Sequence, residues 1–275
     1  MARGDGDRLV RCGRGHLHWG RFGAAGLLPV HDGHVLLQHR SRWTHGGGTW
    51  ALFGGARDSH EDAVAAALRE TAEESTLDTT LVTPFGVIGV DHGNWCYDTV
   101  IGSIDTMPTV ERASRETRAA AWIAVDKVER LSLYPPFAKA WPTLRTALRR
   151  PVLIVDAANV MGARADGWWK DRAGAAARLR DELAKVVGFT GITPFDLAFP
   201  EILFVTEGAA RGIGSVDGVT VVDAPGSGDD TIVAMARGSL DAPRLVITAD
   251  RELRRRCEKA GAQVSGPRTV LSLLA

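Results

Sequence analysis

A chain of 275 residues exceeds one average domain and fits two of ordinary size. Hydrophobic residues make up 45% and charged residues 24%, which excludes a disordered chain, and the 33 Lys+Arg balance the 33 Asp+Glu. With no net charge, nothing draws the whole chain toward nucleic acid or an anionic membrane. No run approaches the ~18 apolar residues of a membrane span, and the opening MARGDGDRLVRCGRG lacks the apolar region of a signal peptide. Cys12, Cys96 and Cys257 are odd in number and far apart, so a reducing, cytoplasmic setting is expected rather than a disulfide framework. Cys12 with His16 and His18 (CGRGHLH) has the donors for half a zinc site, but no second pair completes it, so no metal is expected there.

In chain order, Phe22–Val30 and Val35–Arg40 read as strands joined at a turn on Asp32-Gly33. Thr49–Phe53 reads as a third strand, cut by Gly54-Gly55, and an Ala-rich helix follows. Leu81–Asp91 and Tyr97–Ile104 are apolar, β-branched runs separated by HGN and predict a hairpin. A strand over Ala119–Val125 and a helix from about Phe137 to Arg150 complete the first half. At Pro151 the pattern changes. PVLIVDAANV predicts a strand buried on both faces, and strands at 202–206, 219–222, 244–248 and near Gln263–Val264 then alternate with helices at 172–187, 228–238 and 250–260. Such alternation predicts a parallel α/β sheet, so the chain is divided into an α+β domain at 1–150 and an α/β domain at 151–275. The hydrophobic strands of the first domain are candidates for pairing across a homodimer.

The helix after the Gly pair, in GGARDSHEDAVAAALRETAEEST, is the most informative stretch. Ser59 is expected to cap it with Asp62 as partner, and Glu61 and Asp62 are expected in its first turn. At about 100° per residue, Val64, Ala67, Leu68, Thr71 and Ala72 gather on one side, with Glu70, Glu73 and Glu74 opposite. Like charges at i, i+3 and i+4 repel by a few tenths of a kcal/mol per pair. A solvated face mixes signs, whereas here only Arg69 is near. The Gly54-Gly55 pair lets backbone approach closely, so that a carbonyl can face the acids. Hard oxygen donors at this density suit Mg²⁺, which in turn neutralises phosphate.

The run resembles the Nudix box, Gly-x5-Glu-x7-Arg-Glu-aliphatic-x-Glu-Glu-x-Gly-aliphatic, with Gly55, Glu61, Arg69, Glu70, Glu73, Glu74 and Leu77 on pattern positions. Three positions depart from it: Thr71 stands for an aliphatic residue, Thr76 for Gly, and Phe53 where Pro is frequent. The resemblance covers about residues 20–150 and implies an α+β Nudix fold, a mixed sheet with flanking helices. It implies a pyrophosphohydrolase acting on a nucleotide or another nucleoside diphosphate-linked small molecule. Glu70, Glu73, Glu74 and the Gly55 carbonyl are then expected to hold Mg²⁺ or Mn²⁺, with Arg69 and Glu61 orienting those ligands through an ion pair. One of the box glutamates or Glu116 is expected to act as general base, and Trp50, Phe53 and Trp95 are candidates for stacking on a base. In the ADP-ribose branch a Pro follows the box where this chain has His92-Gly93, which counts against that substrate.

The second half carries a different set of acids. Asp156 ends the first strand, Asp229 and Asp230 open a helix after PGSG, and Asp250 follows LVITA. The carboxyl ends of parallel strands share one rim, so these acids can meet there around a metal, although each is also a good helix cap. Asp156 with Asn159, the Asp229-Asp230 pair and Ala249-Asp250-Arg251 together are similar to PIN-like nuclease domains of the NYN type, which implies metal-dependent RNA cleavage, with Glu207 a further candidate member. The 15 Lys+Arg against 16 Asp+Glu in 151–275 provide no basic footprint. Trp168-Trp169 with Lys170 and Arg172 could grip a single strand or form a packed loop. A binding module without catalysis is the alternative for this half.

Overall fold

The computed structural model describes residues 4–238 and 242–274, and the chain forms two compact units that divide between Leu148 and Arg149. Each has its own sheet.

The first unit starts with a short antiparallel hairpin, β1 (Leu9–Arg11) and β2 (Leu17–Trp19), which the sequence analysis did not anticipate. β3 (Ala24–His31) turns into β4 (His34–Arg40) through Asp32 and Gly33, both at positive φ, which is why the turn needs these two residues. β5 (Trp50–Ala51) and β6 (Phe53–Ala56) follow. Gly54-Gly55 thus lies inside a strand and does not end one. β6 lies so close to β3 that a Cβ at Gly54 would strike the Ala25 carbonyl. After α1 (Ala63–Glu74) come β7 (Thr83–Asp91), β8 (Cys96–Ser103), β9 (Thr117–Ala124) and α2 (Pro135–Arg145). β3 is parallel to β8 and antiparallel to β4 and β6, β7 pairs with β8, and β4 with β5 and β9. The sheet is therefore mixed. Its centre is the core: Leu27, Leu28, Leu36, Leu37 and Ile101 are fully buried.

The second unit contains β10 (Val152–Asp156), α3 (Ala157–Gly162), α4 (Arg172–Leu183), β11 (Glu201–Thr206), β12 (Val219–Asp223), α5 (Gly228–Arg237), β13 (Arg244–Ile247), α6 (Arg251–Lys259), β14 (Gln263–Ser265) and α7 (Arg268–Leu271). Its sheet is parallel throughout, in the order β12-β11-β10-β13-β14. All of β10 is buried, as a central strand covered on both faces must be. The chain moves outward from β10 in one direction and then returns to its other side, so β10 is the switch point of the sheet. Among the described residues no helix is long and apolar enough to cross a membrane.

Candidate active site

Helix α1 packs on β3 and β6. Its N-cap is Asp62, whose Oδ1 accepts from the Ala65 amide at 2.8 Å. Ser59 lies ahead of the helix and bonds Asp5, while Glu61 also precedes the first turn and accepts from the Asp58 amide. The expected Ser59 cap and the acidic first turn are therefore corrected: the chain runs three residues further before it coils.

The direction of the acids also differs from expectation. Ala66, Ala67, Thr71 and Glu74 are buried, Glu70 is half-buried, Ala72 and Glu73 are exposed. Glu70 and Glu74 thus share the inward side with Ala67 and Thr71, at i, i+3, i+4 and i+7. Alanines at the helix–sheet contact bring the two carboxylates against the sheet instead of into solvent. At Gly55 the fit is close, since a Cβ there would meet the Glu70 carboxylate at 2.6 Å. No other residue leaves that space open.

Glu74 accepts from Gln38 Nε2 at 3.0 Å. The same Gln38 amide donates to the Leu52 carbonyl at 2.8 Å, and its Oε1 accepts from Thr117 Oγ1 at 2.8 Å. Gln38 and Thr117 are fully buried. This relay holds Glu74 in one orientation. Burial, then the charges of Glu70 and Glu116, push the Glu74 carboxyl up to about 8 from its ordinary 4.5. Burial also raises Glu70, with the Arg69 guanidinium opposing it. Glu116 is exposed and near enough to act on Glu74, so the structure brings this candidate base to the cluster.

Arg69 grips Glu61 with Nε to Oε1 at 2.7 Å and Nη2 to Oε2 at 2.9 Å. It also donates to Glu70 at 2.8 Å and to the Ala56 carbonyl at 2.9 Å, with Glu73 more distant at 3.5 Å. The hydrogen bonds from Arg69 hold the Glu61 carboxyl below its usual range. Arg69 therefore ties the loop before α1 to the helix and aims Glu70.

The donor set suits a divalent cation. It consists of carboxylate oxygens beside a Gly floor, with the buried Glu74 and the half-buried Glu70 repelling each other, a charge arrangement that a hard cation relieves. Glu70, Glu73, Glu74 and the Gly55 backbone are the residues that could hold it.

The two threonines of the motif have local reasons. Thr71 Oγ1 donates to the Ala67 carbonyl at 2.7 Å, which satisfies a buried hydroxyl. Thr76 replaces a helix-ending Gly because the chain leaves α1 extended: its amide donates to the Glu111 carbonyl at 3.0 Å and its Oγ1 accepts from the Glu111 amide at 2.9 Å.

Two of the three aromatic candidates are corrected. Phe53 is fully buried. Trp95 is 8% exposed, donates to the Gly20 carbonyl and stacks on His18 at 3.9 Å, so neither offers a face to a base. Trp50 is half-buried beside Gln38's strand and stacks on His39 at 5.0 Å. Gln38 was missed by the sequence reading. Its signal was a lone amide in the apolar strand VLLQHR.

In the second unit, Asp156 is buried at the end of β10, caps α3 through Asn159, and accepts from Thr248 Oγ1 and Asn159 Nδ2 at 2.8 and 2.7 Å. Burial raises its carboxyl, with Glu207 adding to the shift. Asp229 is raised by burial, then by the charges of Asp156 and Asp250. The structure therefore brings Asp156, Asp229, Asp250 and Glu207 to one rim. Asp230 departs from them, exposed and paired with Arg256 at 2.5 Å. Asp250 caps α6 and Glu207 accepts from the Gly228 amide. Beside the rim, a cleft of about 300 Å³ is lined by Trp168, Arg172, Glu207 and Arg211, with Arg172 over the Trp168 ring.

Residues 20–144 match the family model described as NUDIX domain. A Mycobacterium tuberculosis protein named "Putative 8-oxo-dGTP diphosphatase 3" is 47% identical over 163 residues, which span 54% of this chain and 72% of that protein. A Bifidobacterium longum "Nucleoside triphosphate pyrophosphatase/Nudix hydrolase fusion protein" is 35% identical over 152 residues, 52% of this chain and 32% of that protein. Among solved structures, the Nudix hydrolase RenU of Mycobacterium smegmatis is 38% identical, covers 51% of this chain and 93% of its own, and has a TM-score of 0.47.

Proposed function

The chain belongs to the Nudix family, and from that premise we propose that its first unit hydrolyses a nucleoside triphosphate bearing an oxidised purine to the nucleoside monophosphate and inorganic diphosphate. The enzyme is a pyrophosphohydrolase. The choice of base rests on the name of the M. tuberculosis relative; the choice of residues rests on the close fit of Glu70 over Gly55 and on the charges of Glu70 and Glu116 that reach the buried Glu74. Glu70, Glu73, Glu74 and the Gly55 carbonyl would hold Mg²⁺ or Mn²⁺. When bound, such a cation neutralises phosphate charge and lowers the pKa of coordinated water. The chain's own residues do the positioning. Arg69 fixes Glu61 and Glu70, and Gln38 fixes Glu74. Glu74 or Glu116 takes the proton of the attacking water, whose oxygen bonds to phosphorus as the bridging P–O bond breaks. Trp50 is the aromatic left to stack on the base.

The test is a panel of 8-oxo-dGTP, dGTP, dinucleoside polyphosphates and nucleotide sugars with Mg²⁺, products read by mass, for wild type and Glu74→Gln. A monophosphate product lost in the variant supports the assignment. Equal turnover by both proteins removes Glu74 from the chemistry, and preference for a nucleotide sugar overturns the substrate.

A second reading concerns the other unit. We propose that it is a PIN-like domain of the NYN type that cleaves single-stranded RNA with Mg²⁺ or Mn²⁺ held by Asp156, Asp229 and Asp250, with Glu207 beside them. The convergence of these acids at the switch point of a parallel sheet supports it. Metal-independent RNA binding, unaffected by Asp229→Asn and without shortened product, would instead make this unit a binding module.

A further inference from the structure

Cys12 and His18 come from the β1–β2 hairpin, His16 from its turn, and His92 from the turn between β7 and β8. Their ligating atoms all lie within 4.8 Å of one another, with Cys12 Sγ and His92 Nδ1 at 3.9 Å. We propose that these four residues form a closed tetrahedral Zn²⁺ site that fastens the N-terminal hairpin to the β7–β8 turn, separate from the carboxylate helix. The absence of a second Cys/His pair in the sequence led to the expectation of no metal here. The fold supplies the fourth donor that the sequence lacked, His92.

The distances fit. Zn–N bonds of ~2.0–2.1 Å and Zn–S of ~2.3 Å give a tetrahedron with edges of roughly 3.3–3.7 Å, so the side chains need to move inward by about 1 Å. The donors are one thiolate and three imidazoles, a set that suits Zn²⁺ and is wrong for Mg²⁺. His18 Nε2 is buried and has no hydrogen-bond partner, a cost that a bound metal removes.

The frame around the cluster is already fixed. The Cys12 amide donates to the His16 carbonyl at 2.9 Å, closing the hairpin. The Gly13 amide donates to Asn94 Oδ1 at 2.5 Å, tying the hairpin to the opposite turn. In that turn the His92 amide donates to the Trp95 carbonyl at 2.8 Å. The Trp95 ring lies flat on His18, 11° from parallel, and so sets its orientation. Cys12 and Trp95 are buried together with Ala24.

The hairpin has a need for such a staple. Its strands have three residues each, and Leu9, Leu17 and Trp19 are exposed. A two-stranded hairpin with so little apolar burial is marginal by itself. The segment leading into it contains Asp7, whose charge reaches Glu70. A metal at the hairpin would therefore steady an arm that borders the carboxylate helix.

The experiment uses the full chain, stripped with chelator and then loaded with zinc in an excess of Mg²⁺, with metal content read by mass spectrometry. One zinc per chain is expected, retained in Glu70→Gln and lost in His92→Ala and in His16→Ala, where the side chain replaced is exposed. In a parallel loading, Co²⁺ in the wild-type protein is expected to give intense tetrahedral visible bands and a sulfur-to-cobalt charge-transfer band, the latter absent in Cys12→Ser. The Co²⁺ spectrum requires no variant to fold. A wild-type protein that retains no more zinc than His16→Ala, or that binds Co²⁺ with only weak octahedral bands, overturns the site.

Discussion

The buried Glu74 carboxyl makes a prediction about stability that can be separated from turnover. Its carboxyl moves from 4.5 to about 8 on folding. The folded chain therefore binds a proton there more tightly than the unfolded chain, and this contribution to stability is complete below about pH 4.5. It declines as pH rises, by ~1.4 kcal/mol per pH unit, and is gone above about pH 8. At pH 7 the metal-free protein has lost roughly 3 kcal/mol relative to pH 4.5 through this one group. Glu74→Gln keeps the shape and an acceptor for Gln38 Nε2 but no longer titrates. Urea unfolding in chelator at pH 5, 6, 7 and 8 is expected to show the wild-type midpoint falling well below that of the variant as pH rises. For a slope of about 2 kcal/mol per M, the gap opens by about 1–2 M between pH 5 and pH 7.5. Carboxyls remote from Glu74 titrate in both proteins and drop out of the difference, while Glu70 and Glu116 are coupled to Glu74 and contribute to it. Parallel curves for the two proteins would show that Glu74 is solvated and would refute the argument from burial.

Mg²⁺ is expected to raise the melting temperature more at pH 8 than at pH 5.5, because Glu74 must lose its proton to bind; equal shifts at both pH values, by scanning calorimetry, would speak against Glu74 as a ligand. Arg69→Lys removes the two-pronged grip on Glu61 and is expected to weaken Mg²⁺ activation of turnover by about 10–100-fold, read from the Mg²⁺ dependence of the initial rate. Gln38→Leu leaves Glu74 and Thr117 without their shared partner and is expected to lower kcat by about tenfold or more with little change in KM. Thr76→Gly restores the family's residue but loses the bond to the Glu111 amide and adds chain entropy, so a loss of about 1–2 kcal/mol is expected by urea unfolding.

The strands were legible because each carries a continuous or alternating apolar run bounded by turn residues. The Asp32-Gly33 turn and the all-buried β10 are the clearest cases. What was not legible is the side of each element that the core takes. A helical wheel assigns Glu to the solvent side by its charge, whereas Glu70 and Glu74 face inward. Only the contact of α1 with β6, across a Gly floor, decides that. Phe53 and Trp95 were read as candidates for stacking on a base. Both are core, since the register of β6 on β3 and the stacking of Trp95 on His18 turn them inward. Gly54-Gly55 was read as a break for a related reason. Gly is a turn residue locally, but here it serves the approach of one strand to its neighbour.

The same distinction separates the two metal-ligand sets of the first unit. The carboxylate set comes from one helix, where the backbone spaces Glu70, Glu73 and Glu74, so their relation is already present in the order of residues. The sulfur and nitrogen set is closed by His92, which is 80 positions from Cys12, and only the pairing of β7 with β8 carries it there. Before folding, CGRGHLH carries three of the four donors and lacks the fourth. After folding, Asn94 and Trp95 hold the hairpin and the turn together even without a metal. The order of events follows from this: the sheet must form before the four donors can meet, so zinc would bind the folded unit and stabilise it by mass action rather than direct its folding. The hairpin should then be the part of the unit that opens first when the metal is removed, with β3, β4 and β8 keeping their protection against amide exchange.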